Sequence, residues 1–212
     1  MIKIFKRNIK SEYEERLKKS FPKELYSDLN EVLKILPLDK NLVKLCDGQT
    51  HKADNLIHEL ELNIEFNNET LIIPSRLYFN EPNPELEKSL TDKQKDILNC
   101  IYLRHHNGYL REKRLNLISD NSEKWTVPFI IHLIGEYVYE LLPIIDKKIN
   151  KNTLDYYVDF IGENPKYWQQ TESRMISYWN EYYRCKFPKL KDYLGFEIVN
   201  RIKKRKQNNG YK

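Results

Sequence analysis

Apolar positions along the chain recur mainly at helical spacing, with one short stretch of a different period. Residues 9–20 and 22–36 read as two helices. In the second, Leu25, Leu29, Val32, Leu33 and Leu36 recur at steps of three and four and mark one apolar face. Pro22 stands where a first-turn proline is tolerated, and Pro37 stops the run. Residues 38–58 predict a short helix or loop ending in Leu56-Ile57. Residues 60–73 differ. Leu60, Leu62, Ile64 and Phe66 alternate with Glu61, Asn63 and Glu65, the period of a half-buried strand. Asn67-Asn68-Glu69 supplies a turn and Thr70-Leu71-Ile72-Ile73 a second strand, so a β-hairpin is predicted. A lone hairpin is marginal in water and must lie on helices or join a partner's sheet, where its edges could recruit another strand.

Residues 80–90 carry Pro82 and Pro84 and few core residues, making them the best domain boundary. The division expected is an N-terminal segment at 1–80 with the hairpin and a helical domain at 86–212, or one continuous compact unit. Thr91 or Asp92 is a plausible N-cap for a helix with Ile97, Leu98, Cys100 and Ile101 on its buried side. Asn107-Gly108 has the chemistry of a left-handed C-cap. A second helix follows at once, with Leu110, Leu115, Leu117 and Ile118 as packing candidates. So short a break folds the two helices into an antiparallel pair. Thr126 and Pro128 open a helix expected to run through 128–142 as the central helix, with Pro143 bending or ending it. Gly135 in its middle points to close helix–helix contact. Helices are also predicted at 153–161, 165–184 and 189–205. The fold class is therefore mostly α, a helical bundle with one small β-hairpin near 60–73.

Composition agrees with this. Hydrophobic residues make up 40% of the 212 and charged residues 32%, a globular balance, and 6 glycines are few for an all-β chain. The apolar stretch at 127–142 is interrupted by His132, Glu136 and Glu140, which fits a buried helix better than a membrane span. No apolar leader is read at the N-terminus, and Cys46, Cys100 and Cys185 form no paired motif, so a reducing, cytoplasmic setting is expected and no membrane partner. The net charge of +5 resides in the last 12 residues, which hold six Lys or Arg and no acid; the rest has 30 basic and 31 acidic residues. Lys203, Lys204, Arg205 and Lys206 could contact nucleic acid, or form a solvated helix end favoured by the helix dipole.

The densest polar cluster is Arg104, His105, His106 and Asn107, with Tyr109 and Arg111. It reads as a contact patch, as a general-base histidine at a helix end, or as one capping and one packing histidine. Adjacent histidines on a helix point about 100° apart, and no third ligand completes a metal site. His51 and His58 share a face only if their segment is helical. Glu136 and Glu140, four apart, would face one way on a continuous helix, as an acid–base pair or as salt-bridge partners of Arg111 or Arg114. Trp168 and Trp179, with neighbouring tyrosines, could stack bases or line a protein interface, or pack as core. Common hydrolase and nucleotide-binding motifs are missing, and no cofactor or metal is expected.

Residues 91–145 resemble one and a half HEAT-type helical repeats. The likeness rests on a helix ending at Arg104-His105-His106, the polar turn Asn107-Gly108, and Leu110-Arg111 opening the next helix. No second copy of the pattern follows. The resemblance implies stacked helical hairpins, an Arg111 that ties layers together, and a scaffold for binding. The expected function is a protein–protein interaction module of immunity, antitoxin or effector-binding type in a bacterium. Alternatives are a nucleic-acid-binding protein using the basic tail and aromatic helix, and an enzyme centred on His105 or His106.

Overall fold

The computed structural model describes residues 9–44, 48–120 and 122–208. Cys46 and the last four residues of the basic tail lie outside them. Among the described residues the chain forms ten α-helices and two small antiparallel two-stranded sheets. Buried residues from Tyr13 to Ile202 belong to one contiguous core. Among the described residues no helix is long and apolar enough to cross a membrane.

Helices α1 (Ile9–Lys18) and α2 (Tyr26–Ile35) bury Tyr13 and Leu17, and Leu29, Val32 and Leu33. The segment expected as short helix or loop instead forms a small hairpin of β1 (Leu42–Lys44) and β2 (Thr50–Lys52). His51 lies in this hairpin, so it shares no helix face with His58, whose Nδ1 accepts from the Leu60 amide. Strands β3 (Glu61–Phe66) and β4 (Glu69–Pro74) form the expected second hairpin. Its two-residue turn puts Asn67 at φ 49° and Asn68 at φ 63°, left-handed geometry that asparagine tolerates. Ile64, Phe66, Leu71 and Ile73 are buried on its inner face. Contacts within the chain occupy both edges. The Ile72 amide donates to the Lys19 carbonyl, and the Asn164 side chain bonds both backbone groups of Glu65 at 2.8 Å.

The extended stretch after β4 positions the site. The Leu77 amide donates to the Arg104 carbonyl, and the His106 amide donates to the Leu77 carbonyl. On its other side the His58 amide donates to the Arg76 carbonyl and the Tyr78 amide to the Leu56 carbonyl. Residues 76–78 are thus clamped between 56–58 and 104–106. Residues 80–90 contain α3 (Pro84–Lys88), with Leu90 buried.

Helix α4 (Asp92–Tyr102) opens with a capping box between Thr91 and Gln94. It ends before the Asn107-Gly108 pair, whose expected role is corrected. Asn107 has φ −77° and caps the start of α5 (Gly108–Leu117), its Oδ1 accepting from the Tyr109 and Leu110 amides. The chain turns at residues 103–106 without a left-handed residue. A Cβ on Gly108 would lie 3.3 Å from Val138, so the small residue allows close approach.

The expected continuous helix over 128–142 is also corrected. The chain forms α6 (Val127–His132), a 3-10 turn at Leu133–Gly135, an extended Glu136, and α7 (Leu141–Lys148). Thr126 gives its hydroxyl proton to the Glu123 carbonyl and makes no cap bond. Pro143 lies within the first turn of α7, where proline is tolerated. The close contact expected of Gly135 is present: a Cβ there would lie 3.0 Å from the Thr171 carbonyl oxygen. The break turns Glu136 into the protein and leaves Glu140 outside, so they form no carboxylate pair. Helices α8 (Leu154–Glu163), α9 (Pro165–Tyr178) and α10 (Leu194–Asn208) complete the fold, α9 running into a π-helical turn at Trp179–Tyr183.

Candidate functional site

Two features meet around the start of α5. The inner one is a cluster of arginines. Arg104, at the end of α4, donates through Nε to the Pro74 carbonyl at 3.2 Å and through Nη2 to the Ser75 carbonyl at 2.5 Å. Arg111, one turn into α5, donates through Nη1 to the carbonyls of His105 and His106 at 2.7 and 3.0 Å. Arg111 therefore ties α5 to the turn before it. Both guanidiniums are held by backbone, and both face Glu136. Arg76 Nη2 donates to Glu136 Oε2 at 2.9 Å, Arg111 Nη2 lies 3.5 Å from the same oxygen, and Arg104 Nη1 lies 4.0 Å from Oε1. His132 Nε2 is 3.6 Å from Oε1. The His132 Nδ1 meets the Tyr167 hydroxyl at 2.7 Å and Arg174 Nη2 at 3.2 Å. Arginine only donates, so Nδ1 accepts and the ring proton sits on Nε2, facing Glu136.

Three arginines thus face one carboxylate, and a fourth, Arg174, holds the histidine beside it. Burial and this surplus of positive charge set the local acidities. Burial first, then Arg104, Arg174, Arg76 and Arg111, push His132 well below its ordinary range. Burial, followed by repulsion from Arg76, lowers Arg104 to about 10. Burial raises the Tyr167 hydroxyl to about 12. Each arginine has at least one nitrogen without a hydrogen-bond partner: Arg76 Nη1, Arg104 Nη1, Arg111 Nε and Nη2, and Arg174 Nε. Glu136 Oε1 also lacks a donor.

The outer feature is a cleft of about 370 Å³ lined by His106, Gly108, Tyr109 and Glu112 from the start of α5, Tyr137, Val138 and Glu140 from the link before α7, and Tyr183. The break at Glu136 creates one wall. Tyr183 pins that wall, its hydroxyl donating to the Tyr137 carbonyl and accepting from the Tyr139 amide. Tyr137 continues into an aromatic surface with Tyr178 and Tyr182 at ring separations of 6.1 and 6.5 Å. Tyr109 is 79% exposed and Tyr182 61%. Among the described residues neither Glu112 nor Glu140 has an ion-pair partner.

The sequence candidates separate on this frame. Arg104 and Arg111 belong to the inner cluster, while His106 and Tyr109 line the cleft. His105 is buried and fully engaged: Nδ1 accepts from the Asn107 amide, so Nε2–H donates to the Phe79 carbonyl at 3.1 Å. Burial and the neighbouring His106 lower it to about 3, so it serves as a neutral pin and leaves no free nitrogen for acid–base work. His106 stacks on Tyr78 at 5.5 Å. Trp168 is buried in the core, and Trp179 packs on the core with its indole N–H donating to the Phe187 carbonyl, so neither lines the cleft. In the basic helix Arg201 pairs with Asp146, Lys203 with Glu172 and Arg205 with Asp155, leaving Lys204 and Lys206 outside these pairs. Arg76, Arg174 and Tyr137 were missed by sequence reasoning, since nothing in their local pattern sets them apart. No group of three His, Cys, Asp or Glu side chains that could hold a metal exists among the described residues.

The chain matches no known protein-family model, curated protein or solved structure.

Proposed function

We propose that this protein is a protein-interaction module whose contact surface is the tyrosine-lined cleft between the start of α5 and the link before α7. One observation carries the reading: exposed tyrosines converge on a concave site whose two carboxylates have no ion-pair partner among the described residues. Tyrosine supplies large contact area with few rotatable bonds and a wet hydroxyl, which is why it concentrates at interfaces. Glu112 and Glu140 add an acidic rim. The complementary partner segment presents apolar or aromatic side chains to the rings and a lysine or arginine to the rim, where cation–π attraction adds to the charge pairing. An immunity-, antitoxin- or effector-binding role is one form of this proposal.

The other two readings gain less support. The two tryptophans that a base-stacking surface would use are engaged in packing, and His105 has both nitrogens occupied.

The test is site-specific photocrosslinking in the native cell. A crosslinker at Tyr109 or Tyr182 is expected to capture one protein that a crosslinker at Lys34, on α2, does not. Capture should be lost when Glu112→Lys and Glu140→Lys are combined. Equal capture from Lys34, or capture indifferent to the charge reversal, contradicts the proposal.

A further inference from the structure

The arginine cluster beneath the cleft is incomplete as a structural network. Three guanidiniums face one carboxylate, a surplus of two positive charges, and Arg174 adds a fourth cation through His132. Each guanidinium keeps at least one nitrogen without an acceptor, and Arg104 and Arg111 are almost wholly buried. Buried charges are normally matched and hydrogen-bonded, because solvation lost on burial must be replaced. The remaining hydrogen bonds of Arg104 and Arg111 go to backbone carbonyls, which orient the guanidiniums without neutralising them. The side chain of Arg76 is 28% exposed and gives the cluster a path to solvent.

We propose that Arg76, Arg104, Arg111 and Arg174 form a binding site for a phosphate-class oxyanion. Guanidiniums present planar donor forks that match phosphate oxygens, and several of them suit a tetrahedral dianion better than chloride or a single carboxylate. Glu136 gives the site its selectivity. Its Oε1 accepts no hydrogen bond of normal length, with His132 Nε2 at 3.6 Å and Arg104 Nη1 at 4.0 Å. A bare oxyanion such as sulfate is repelled by that oxygen, whereas hydrogen phosphate or a protonated monoester can donate its O–H to it. The site therefore prefers oxyanions that carry a proton at neutral pH. The ligand is either free phosphate or the phosphate of a small ester whose remaining part reaches solvent past Arg76.

The test uses the full chain purified without phosphate or sulfate. Phosphate content is first measured by molybdate assay after denaturation, and ligand-free protein is then titrated calorimetrically. About one phosphate per chain as purified, or one-to-one binding at least tenfold tighter for inorganic phosphate than for sulfate at constant ionic strength, is expected. Arg76→Gln, at the exposed mouth, should weaken phosphate binding at least tenfold while the circular dichroism spectrum is unchanged. Glu136→Gln should shrink the preference for phosphate over sulfate. Phenyl phosphate, titrated at about pH 5.5 where most of it still carries a proton, separates the sources: affinity equal to or above that of inorganic phosphate assigns an ester, and its exclusion with phosphate retained assigns the free ion. No bound phosphate and no heat at millimolar phosphate, equal affinity for phosphate, sulfate and chloride, or binding unchanged in Arg76→Gln overturns the proposal.

Discussion

Arg111 and Arg114 lie three residues apart on α5 with side chains 1% and 2% exposed, yet their surroundings are opposite in character. Arg114 is matched. It donates to Glu81 at 2.5 and 3.0 Å, to Glu87 at 2.6 and 3.0 Å, and to Asn99 Oδ1 at 3.2 Å, and it stacks over the Tyr102 ring. Lys113 shares Glu81, so two cations meet two carboxylates. Burial works against the Arg114 charge, but Glu87 and Glu81 outweigh it and raise its pKa. Arg111 shares one carboxylate with Arg76 and Arg104, and burial lowers its pKa despite Glu136. The same helix thus carries one buried arginine that closes a structural network and one that leaves a network open. A polar cluster with its accounts balanced inside the chain reads as architecture; one left short of negative charge points outward to a ligand.

Perturbations of the two regions should separate them. The largest effect is expected from Glu136→Ala, which removes the one carboxylate facing the arginines. In phosphate-free buffer it should cost about 4 kcal/mol of unfolding free energy, in line with the loss of one partner from a buried charge network. Urea denaturation measures it, and a cost below about 1 kcal/mol, within the reach of an ordinary surface change, contradicts the charge count. Arg114→Met should cost less, about 2–3 kcal/mol, because Glu81 and Glu87 are partly exposed and regain water. That loss should not depend on phosphate.

Acid should also divide the regions. His105 and His132 have folded pKa values below the unfolded value, so the unfolded chain binds more protons between the two. Their contribution is present above the unfolded value near 6.5 and is lost as pH falls from there toward about 3. Burial opposes ionisation of Glu81, but Lys113 and Arg114 hold its carboxyl below the ordinary range. Its contribution is lost only as pH falls through the carboxylate range. The thermal midpoint should therefore begin to fall below about pH 6.5, before carboxylates titrate. His105→Gln should flatten that first part of the curve, and an unchanged profile contradicts the pinned, neutral histidine. The smallest stability effect is expected from Tyr109→Ala, within about 0.5 kcal/mol because the ring is exposed. The same change should nonetheless reduce capture of the partner.

The contrast also marks what the amino-acid order reveals. The β3–β4 hairpin was legible because alternation and an Asn-Asn turn are local signals, and a cap at Thr91 or Asp92 was legible from residue type, the structure choosing Thr91. Arg104, His106, Tyr109 and Arg111 were legible as a polar cluster because a single turn holds them together. The break at Glu136 was not legible, since an apolar run reads the same whether its helix continues or stops. Its causes are tertiary: Gly135 presses against α9, and Glu136 is drawn inward by arginines from three other segments. Arg76 and Arg174 lie 60 and 38 positions from Glu136, a separation no periodicity reports. The likeness to stacked helical repeats rested on the α4–α5 pair, and the helix expected to extend it divides into α6 and α7.

The most direct measurement is the thermal midpoint of the ligand-free chain against phosphate concentration at fixed ionic strength, with sulfate as the control. Binding to the folded state at one hundred times the dissociation constant adds about 2.7 kcal/mol. The midpoint should climb with phosphate, climb far less with sulfate, and keep the same phosphate response in Arg114→Met. A midpoint that moves equally with both anions, or with neither in a chain shown to carry no phosphate, contradicts the phosphate site.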